Sequence, residues 1–144
     1  MAQQRSADVV WEGNLARGRG TIQSGTGVLR DIEITQPTRF GDADGHTSPE
    51  ELIAAALAGC FAMYLSGVLT KADTPPERLE ARAVVTLDTV DDAPRITTID
   101  LSVVGHVPGV DEEAFQAAAR EAEQGCPVSN VLNAEIRLDA RLAT

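Results

Sequence analysis

From Leu79 onward, apolar and polar residues alternate: Leu79, Ala81, Ala83, Val85 and Leu87 against Glu80, Arg82, Thr86 and Asp88. A period of two marks a strand with one face in the core. After the turn at Asp91-Asp92-Ala93-Pro94 the period returns in Ile99, Leu101 and Val103, which predicts an antiparallel hairpin. Near the end, Ile136, Leu138, Ala140 and Leu142 alternate against Glu135, Arg137, Asp139 and Arg141, another half-buried strand. The first forty residues carry shorter strand patterns at Val9-Val10-Trp11, at 19–23 and at 27–35, with glycines at the turns between them. Residues 42–47 read as a loop.

Two stretches break the period of two. Ser48 is an N-cap, Pro49 occupies the first helical position and Glu51 completes a Ser-x-x-Glu capping box. The helix they start runs to about Thr70 or Lys71, and Pro75-Pro76 bars much continuation. A second helix is predicted from Asp111-Glu112-Glu113 to about Gln124, with Gly125 placed to end it. Cys126-Pro127-Val128-Ser129 then starts a further short helical turn. The predicted order is β-β-β-α-β-β-α-β, an α+β fold in one domain over 1–144.

The first helix has no wet face. From Leu52 to Leu69 it is uncharged and long enough to span a bilayer. Its Ala- and Gly-rich composition, the absence of flanking Lys/Arg asymmetry and the soluble-type cap argue against that. They predict a helix buried on all sides, between two sheets, the second supplied by another copy of the chain.

Composition narrows the filling of the core. Hydrophobic residues make up 43% of the 144 but aromatics only 3%, so Ala, Val, Leu and Ile must fill it. The net charge of −10, with Lys71 the only lysine and no basic run, argues against nucleic acid and anionic membrane surfaces as partners. The first residues lack the apolar core of a signal peptide, so a cytoplasmic protein is expected. In that reducing compartment cysteines are more often catalytic than structural.

There are two cysteines, Cys60 inside the apolar helix and Cys126 before Pro127. Reactivity belongs to the thiolate. Cys126, at a helix N-terminus, has a local reason for a lowered pKa. Cys60 should be raised by its apolar setting unless a cation reaches it, and Arg39, Arg17 and Arg19 are the candidates. From the residues alone three readings stand: two small core hydrophobes, a structural disulfide, or a redox pair. No metal or cofactor is expected. His46 and His106 lack zinc-ligand spacing, and Ser24-Gly25-Thr26-Gly27 lacks the lysine of a phosphate loop. Glu50 and Glu51 sit in the first helical turn, where carboxylates complement the dipole. Tyr64, one turn beyond Cys60, is expected as core or pocket wall.

Taken together, several motifs resemble the OsmC/Ohr family, the osmotically inducible and organic-hydroperoxide-resistance proteins. They are Trp11-x-Gly13-x-Leu15-x-Arg17-Gly18-x-Gly20-Thr21, Thr38-Arg39-Phe40, the Ser48-Pro-Glu-Glu-Leu helix through Gly59-Cys60-Phe61-Ala62-Met63, and Gly125-Cys126-Pro127-Val128-Ser129. They span nearly the whole chain, and the Thr-Arg-Phe element favours the OsmC branch.

The resemblance implies an OsmC-like fold, with antiparallel sheets around the long apolar helix, in an intertwined homodimer whose sites lie at the interface. It implies a thiol peroxidase reducing organic (alkyl or lipid) hydroperoxides to alcohols. Cys60 would become a sulfenic acid and Cys126 would condense with it to a disulfide. Arg39 would stabilise the thiolate and the leaving oxygen, and Glu50 would hold that arginine; in the Ohr branch an early arginine, here Arg17 or Arg19, takes the role. A dithiol such as a protein-bound lipoyl group would be the reductant.

Glu50 precedes Cys60 by ten positions, ~15 Å along a straight helix and off its face, so either the long arginine bridges them or the carboxylate comes from the other copy, and the latter is expected. Phe61, Met63, Tyr64 and Phe40 are expected as apolar walls that favour an alkyl peroxide over hydrogen peroxide. The rival readings are an apolar-ligand-binding or stress-structural dimer with inert cysteines, and a general thiol–disulfide exchanger, disfavoured by the lack of Cys-x-x-Cys.

Overall fold

Strands β1 (Ala7–Glu12), β2 (Arg19–Ser24) and β3 (Ile32–Ile34) form an antiparallel sheet in that order, with Trp11 opposite Gly20 and Gly20 opposite Ile34. The structure, a computed structural model, describes residues 1–143 and divides into two units, Met1–Leu52 and Ile53–Thr144. Gly20 is needed where it stands. A Cβ there would lie 2.9 Å from Ile34 Cγ1 and 3.0 Å from Trp11 Cε3, so the two large side chains close over a bare backbone. The third strand is shorter than its sequence pattern. The amides of Ser24 and Gly27 close the turn on the Leu29 and Ser24 carbonyls at 2.8 and 2.9 Å, and Asp31 takes a left-handed φ of 52°. Residues 25–31 are spent on that turn.

A short helix not expected from the sequence, α1 (Gln36–Phe40), follows. Thr35 caps it, its Oγ1 accepting from the Thr38 amide at 3.2 Å, and Pro37 lies in its first turn. Arg39 sits in its last turn.

Helix α2 (Pro49–Lys71) begins in the first unit and continues through the second. Ser48 Oγ accepts from the Glu51 amide at 3.1 Å, one arm of the expected capping box. The other arm differs: the Glu51 carboxylate accepts from the Thr47 hydroxyl at 2.7 Å. Leu57, Phe61, Leu65 and Leu69, at four-residue steps, are almost wholly buried, whereas Met63 is 78% exposed and Tyr64 40%. Within one chain the cover on the helix is therefore this stripe, and the second sheet expected from another copy lies outside the single chain. Within the second unit the helix lies on one sheet, and the stripe facing that sheet is covered.

That sheet has the order β4 (Arg78–Val90), β5 (Ala93–His106), β6 (Glu135–Leu142). Strands β4 and β5 are antiparallel, as their alternation predicts, and β5 begins at Ala93 because Asp91 and Asp92 alone make the turn, with φ of 52° and 62°. Two successive left-handed residues match the twist of a tight hairpin. Strand β6 runs parallel to β5, pairing Ile99 with Ile136 and Leu101 with Leu138. A parallel partner needs a crossover, here α3 (Glu112–Gly125) and α4 (Pro127–Val131). Asp111 caps α3 by accepting from the Ala114 amide at 2.8 Å, and Phe115, Ala119 and Ala122 form its buried stripe. The core of this unit joins the α2 stripe, Ile99, Leu101 and Val103 of β5, and the α3 stripe. Each large side chain fully buried there contributes about 1.5–3 kcal/mol.

Candidate functional site

Cys126 stands at the junction of two helices. It ends α3, with its amide donating to the Ala122 carbonyl at 2.9 Å, and takes the N-cap position of α4, where Pro127 is at N1. Proline pre-sets the first helical φ there. Cys126 is completely buried, Cys60 in the middle of α2 is half-buried, and both are free thiols. The fold of the second unit thus brings together two cysteines 66 positions apart in the chain, and each shifts the other's titration.

The two shifts have opposite signs. Burial pushes the Cys60 thiol up, and its hydrogen bond to Cys126 and the charge there add to this; the Val128 amide only partly offsets them. Burial also pushes Cys126 up, but donors outweigh it. The Cys60 thiol, the amides of Ser129 and Val128 and the Ser129 hydroxyl together bring Cys126 below the ordinary thiol value. Both directions agree with the expectation from sequence, and the cause at Cys126 is a set of named donors. The neutral thiol itself closes no capping hydrogen bond. Ser129, within a motif already singled out, went unassigned by sequence reasoning; its place three residues after Cys126 was the available signal.

Cys60 lines an open depression of about 580 Å³ with Ala55, Ala56, Gly59, Met63 and Tyr64. Phe61, expected as a wall, is not one: one position round the helix from Cys60, it belongs to the buried stripe and is 0% exposed. The Tyr64 ring stands over Gly125, where a Cβ would come within 2.6 Å of Cζ and Oη. Glycine beside Cys126 is what lets the phenol lie there.

In the first unit, Arg39 and Glu50 form an ion pair. Arg39 Nε lies 3.0 and 3.1 Å from the two carboxylate oxygens and Nη2 lies 2.5 Å from Oε1. Glu50 is 7% exposed, and its hydrogen bond keeps the guanidinium protonated beyond its already high pKa. Phe40 carries the arginine over its ring at 5.4 Å, a cation–π contact, which places this phenylalanine with Arg39 in the first unit. Arg39, rather than Arg17 or Arg19, is the arginine paired with Glu50. Arg19 lies exposed in β2, and Arg17 is held through its amide on Asn14 Oδ1 at 2.8 Å.

A two-layered α+β unit carrying a partly exposed thiol against a buried one defines a dithiol protein built on a long apolar helix. A family model described as OsmC-like protein matches residues 41–141, and the chain belongs to the OsmC family. It is 43% identical over 142 residues to the peroxiredoxin OsmC of Escherichia coli strain K12, covering 99% of each chain. Among solved structures it is similar to the organic hydroperoxide resistance protein OhrB of Bacillus subtilis, at 30% identity and a TM-score of 0.73 over 94% of this chain and 97% of that one. It shares the fold of an OsmC protein from Legionella pneumophila, with a TM-score of 0.75 at 20% identity, covering 100% and 99% of the two chains.

Proposed function

We propose that this protein is a cysteine-based thiol peroxidase that reduces organic hydroperoxides to alcohols. The observation that carries the reading is the pairing of Cys60, on the wall of an apolar depression, with a buried Cys126 whose pKa is lowered. A relative named peroxiredoxin at 43% identity over the full length supports the class of chemistry.

The Cys60 thiolate attacks the terminal oxygen of the peroxide, the O–O bond breaks, and the alkoxide leaves with a proton as the alcohol. Cys60 is then a sulfenic acid. The Cys126 thiolate attacks its sulfur, hydroxide departs with a proton as water, and a Cys60–Cys126 disulfide remains. A dithiol, of which a protein-bound lipoyl group is one kind, returns two electrons by thiol–disulfide exchange. Arg39 serves the Cys60 thiolate and the departing alkoxide, and Glu50 fixes the guanidinium. The functional unit is a homodimer, a reading supported by the exposed apolar surface that Met63 and Tyr64 leave on α2.

The lining of Ala55, Ala56, Met63 and Tyr64 supports an alkyl or lipid hydroperoxide over hydrogen peroxide, because it binds a hydrocarbon tail and offers a small polar oxidant little. Intact mass under non-reducing conditions, after one equivalent of an alkyl hydroperoxide with hydrogen peroxide in parallel, tests the proposal. The expected outcome is rapid loss of two hydrogens, faster with the alkyl peroxide and abolished in Cys60→Ser and in Cys126→Ser. A mass unchanged after minutes would leave the cysteines as packing and the chain as a binding or structural dimer. Equal rates with both oxidants would sink the substrate preference alone.

A further inference from the structure

Ser129 is buried, and its Oγ closes no hydrogen bond. Buried hydroxyls are almost always paired, so an orphan one needs a reason. A serine in a helix can donate to the carbonyl three or four residues back. Those are the Cys126 and Gly125 carbonyls, and this serine takes neither. It is the third residue of α4, the helix whose N-cap is Cys126, and the sulfur of that N-cap residue is buried with it at 0% exposure. We infer that the Ser129 hydroxyl is a positioning donor held for the Cys126 sulfur in its charged form, setting both its readiness to attack and its quality as a leaving group.

The argument rests on which state of the pair needs the hydroxyl. A neutral thiol is a weak acceptor, and beside it the hydroxyl stays unpaired. A thiolate is a strong acceptor, and the same O–H can turn to it in a charge-assisted bond. Around Cys126 the titratable group that acts on it is Cys60, from α2, and the Tyr64 phenol stands over the neighbouring Gly125. Among the described residues the groups that lower the Cys126 pKa are neutral donors. The amides of Val128 and Ser129 belong to the backbone; the Cys60 thiol and the Ser129 hydroxyl are the donors that side chains supply, and of these the hydroxyl is the one that is not itself oxidised in the cycle. The lowered pKa of Cys126 supports the same assignment.

The inference rests on the peroxidase reading for its place in a cycle. Resolution forms an S–S bond from the Cys126 thiolate and breaks the S–O bond of the Cys60 sulfenic acid, the hydroxide leaving with a proton as water. In the return half, one thiolate of a dithiol reductant attacks the Cys60 sulfur, the more accessible of the two. The S–S bond breaks and its electron pair goes to Cys126, which leaves as the thiolate that Ser129 receives. The reductant's second thiolate then attacks the reductant sulfur bonded to Cys60, that S–S bond breaks, Cys60 leaves as the thiolate, and the disulfide closes on the reductant. A lower leaving-group pKa speeds this step.

The test uses the full-length protein carrying Cys60→Ser, in which Cys126 is the remaining thiol, and follows thiolate ultraviolet absorbance against pH. Ser129→Ala should raise the midpoint by about one unit, and Ser129→Thr should keep it near that of the parent. Because a smaller side chain could loosen the turn, Ser129→Val is compared with Ser129→Thr, which has the same shape and keeps the hydroxyl. Val is expected to titrate higher. In the two-cysteine protein, Ser129→Ala should close the disulfide about threefold more slowly after one equivalent of peroxide, the loss of thiolate being partly offset by greater nucleophilicity. Equal midpoints in both pairs of variants would overturn the inference. The titration consumes no peroxide, so it decides the role of Ser129 even if the unmutated chain reduces none.

Discussion

The carboxylate of Glu50 holds Arg39 along one edge of the guanidinium, with Nε within 3.1 Å of both oxygens and Nη2 on Oε1. A planar fork fixed in this way presents its charge in one direction, which a lysine on its flexible stem cannot reproduce. Arg39→Ala should lower the rate of peroxide reduction about a hundredfold, with circular dichroism unchanged, and Arg39→Lys should recover only part of the loss. An unchanged rate in Arg39→Ala would move the role to Arg19.

The same pair allows a test of sharing between copies. Mixed dimers combining a Cys60→Ser chain with a Glu50→Ala chain should regain part of the activity that either homodimer lacks, if cysteine and carboxylate come from different chains. Activity no greater than that of the two homodimers would rule the sharing out.

The coupled thiols predict a pH effect with a definite sign. Burial first, and then the Cys126 hydrogen bond and charge, hold the Cys60 pKa up. Cys126→Ser leaves the burial and removes the charge, so the pH midpoint for oxidation of Cys60 should fall. The rate of sulfenic acid formation across a pH series, unmutated against Cys126→Ser, reads this directly. A midpoint that stays or rises would contradict the coupling.

Two glycines should fail in different ways when given a methyl group. At Gly105 a Cβ would stand 2.5 Å from Cε1 and Cζ of the fully buried Phe115, which has no room to yield. Gly105→Ala is expected to cost about 1–3 kcal/mol in denaturant unfolding. At Gly125 the obstacle is Tyr64, which is 40% exposed and can swing outward. Gly125→Ala should therefore keep most of its stability and lose part of its preference for alkyl peroxides over hydrogen peroxide, as the ratio of the two rates would show.

How much of this could be seen in the sequence depended on whether a feature has a period. The alternation from Leu79 to Leu87 placed β4 and its buried face, because the pleat imposes that spacing on any half-buried strand. The Ser48 cap placed the start of α2 to the residue. The facing of α2 was illegible for the complementary reason. A helix apolar all round has no face to read, so Phe61 could be taken for a pocket wall when it lies in the core. The parallel pairing of β6 leaves no local mark either, since strand direction is set by the crossover and not by the strand. The five-residue α1 rests on one threonine cap and a proline, too short for any periodicity to show. Both cysteines and the Arg39–Glu50 pair were named in advance by motif. The orphan hydroxyl of Ser129 leaves only its spacing from Cys126 in the sequence, because burial and the lack of a partner are properties of the packed turn.

The sealing of Cys126 also bears on how such a thiol would survive its own substrate. A sulfenic acid that lingers meets a second peroxide and becomes a sulfinic acid, from which ordinary thiols give no return. On Cys60 that acid would form beside a waiting sulfur and exist briefly, while Cys126, 0% exposed, would stay out of the oxidant's reach. If Cys60 and Cys126 work as the proposed redox pair, burial of one thiol next to a more accessible one would set the odds between turnover and irreversible damage, in favour of turnover.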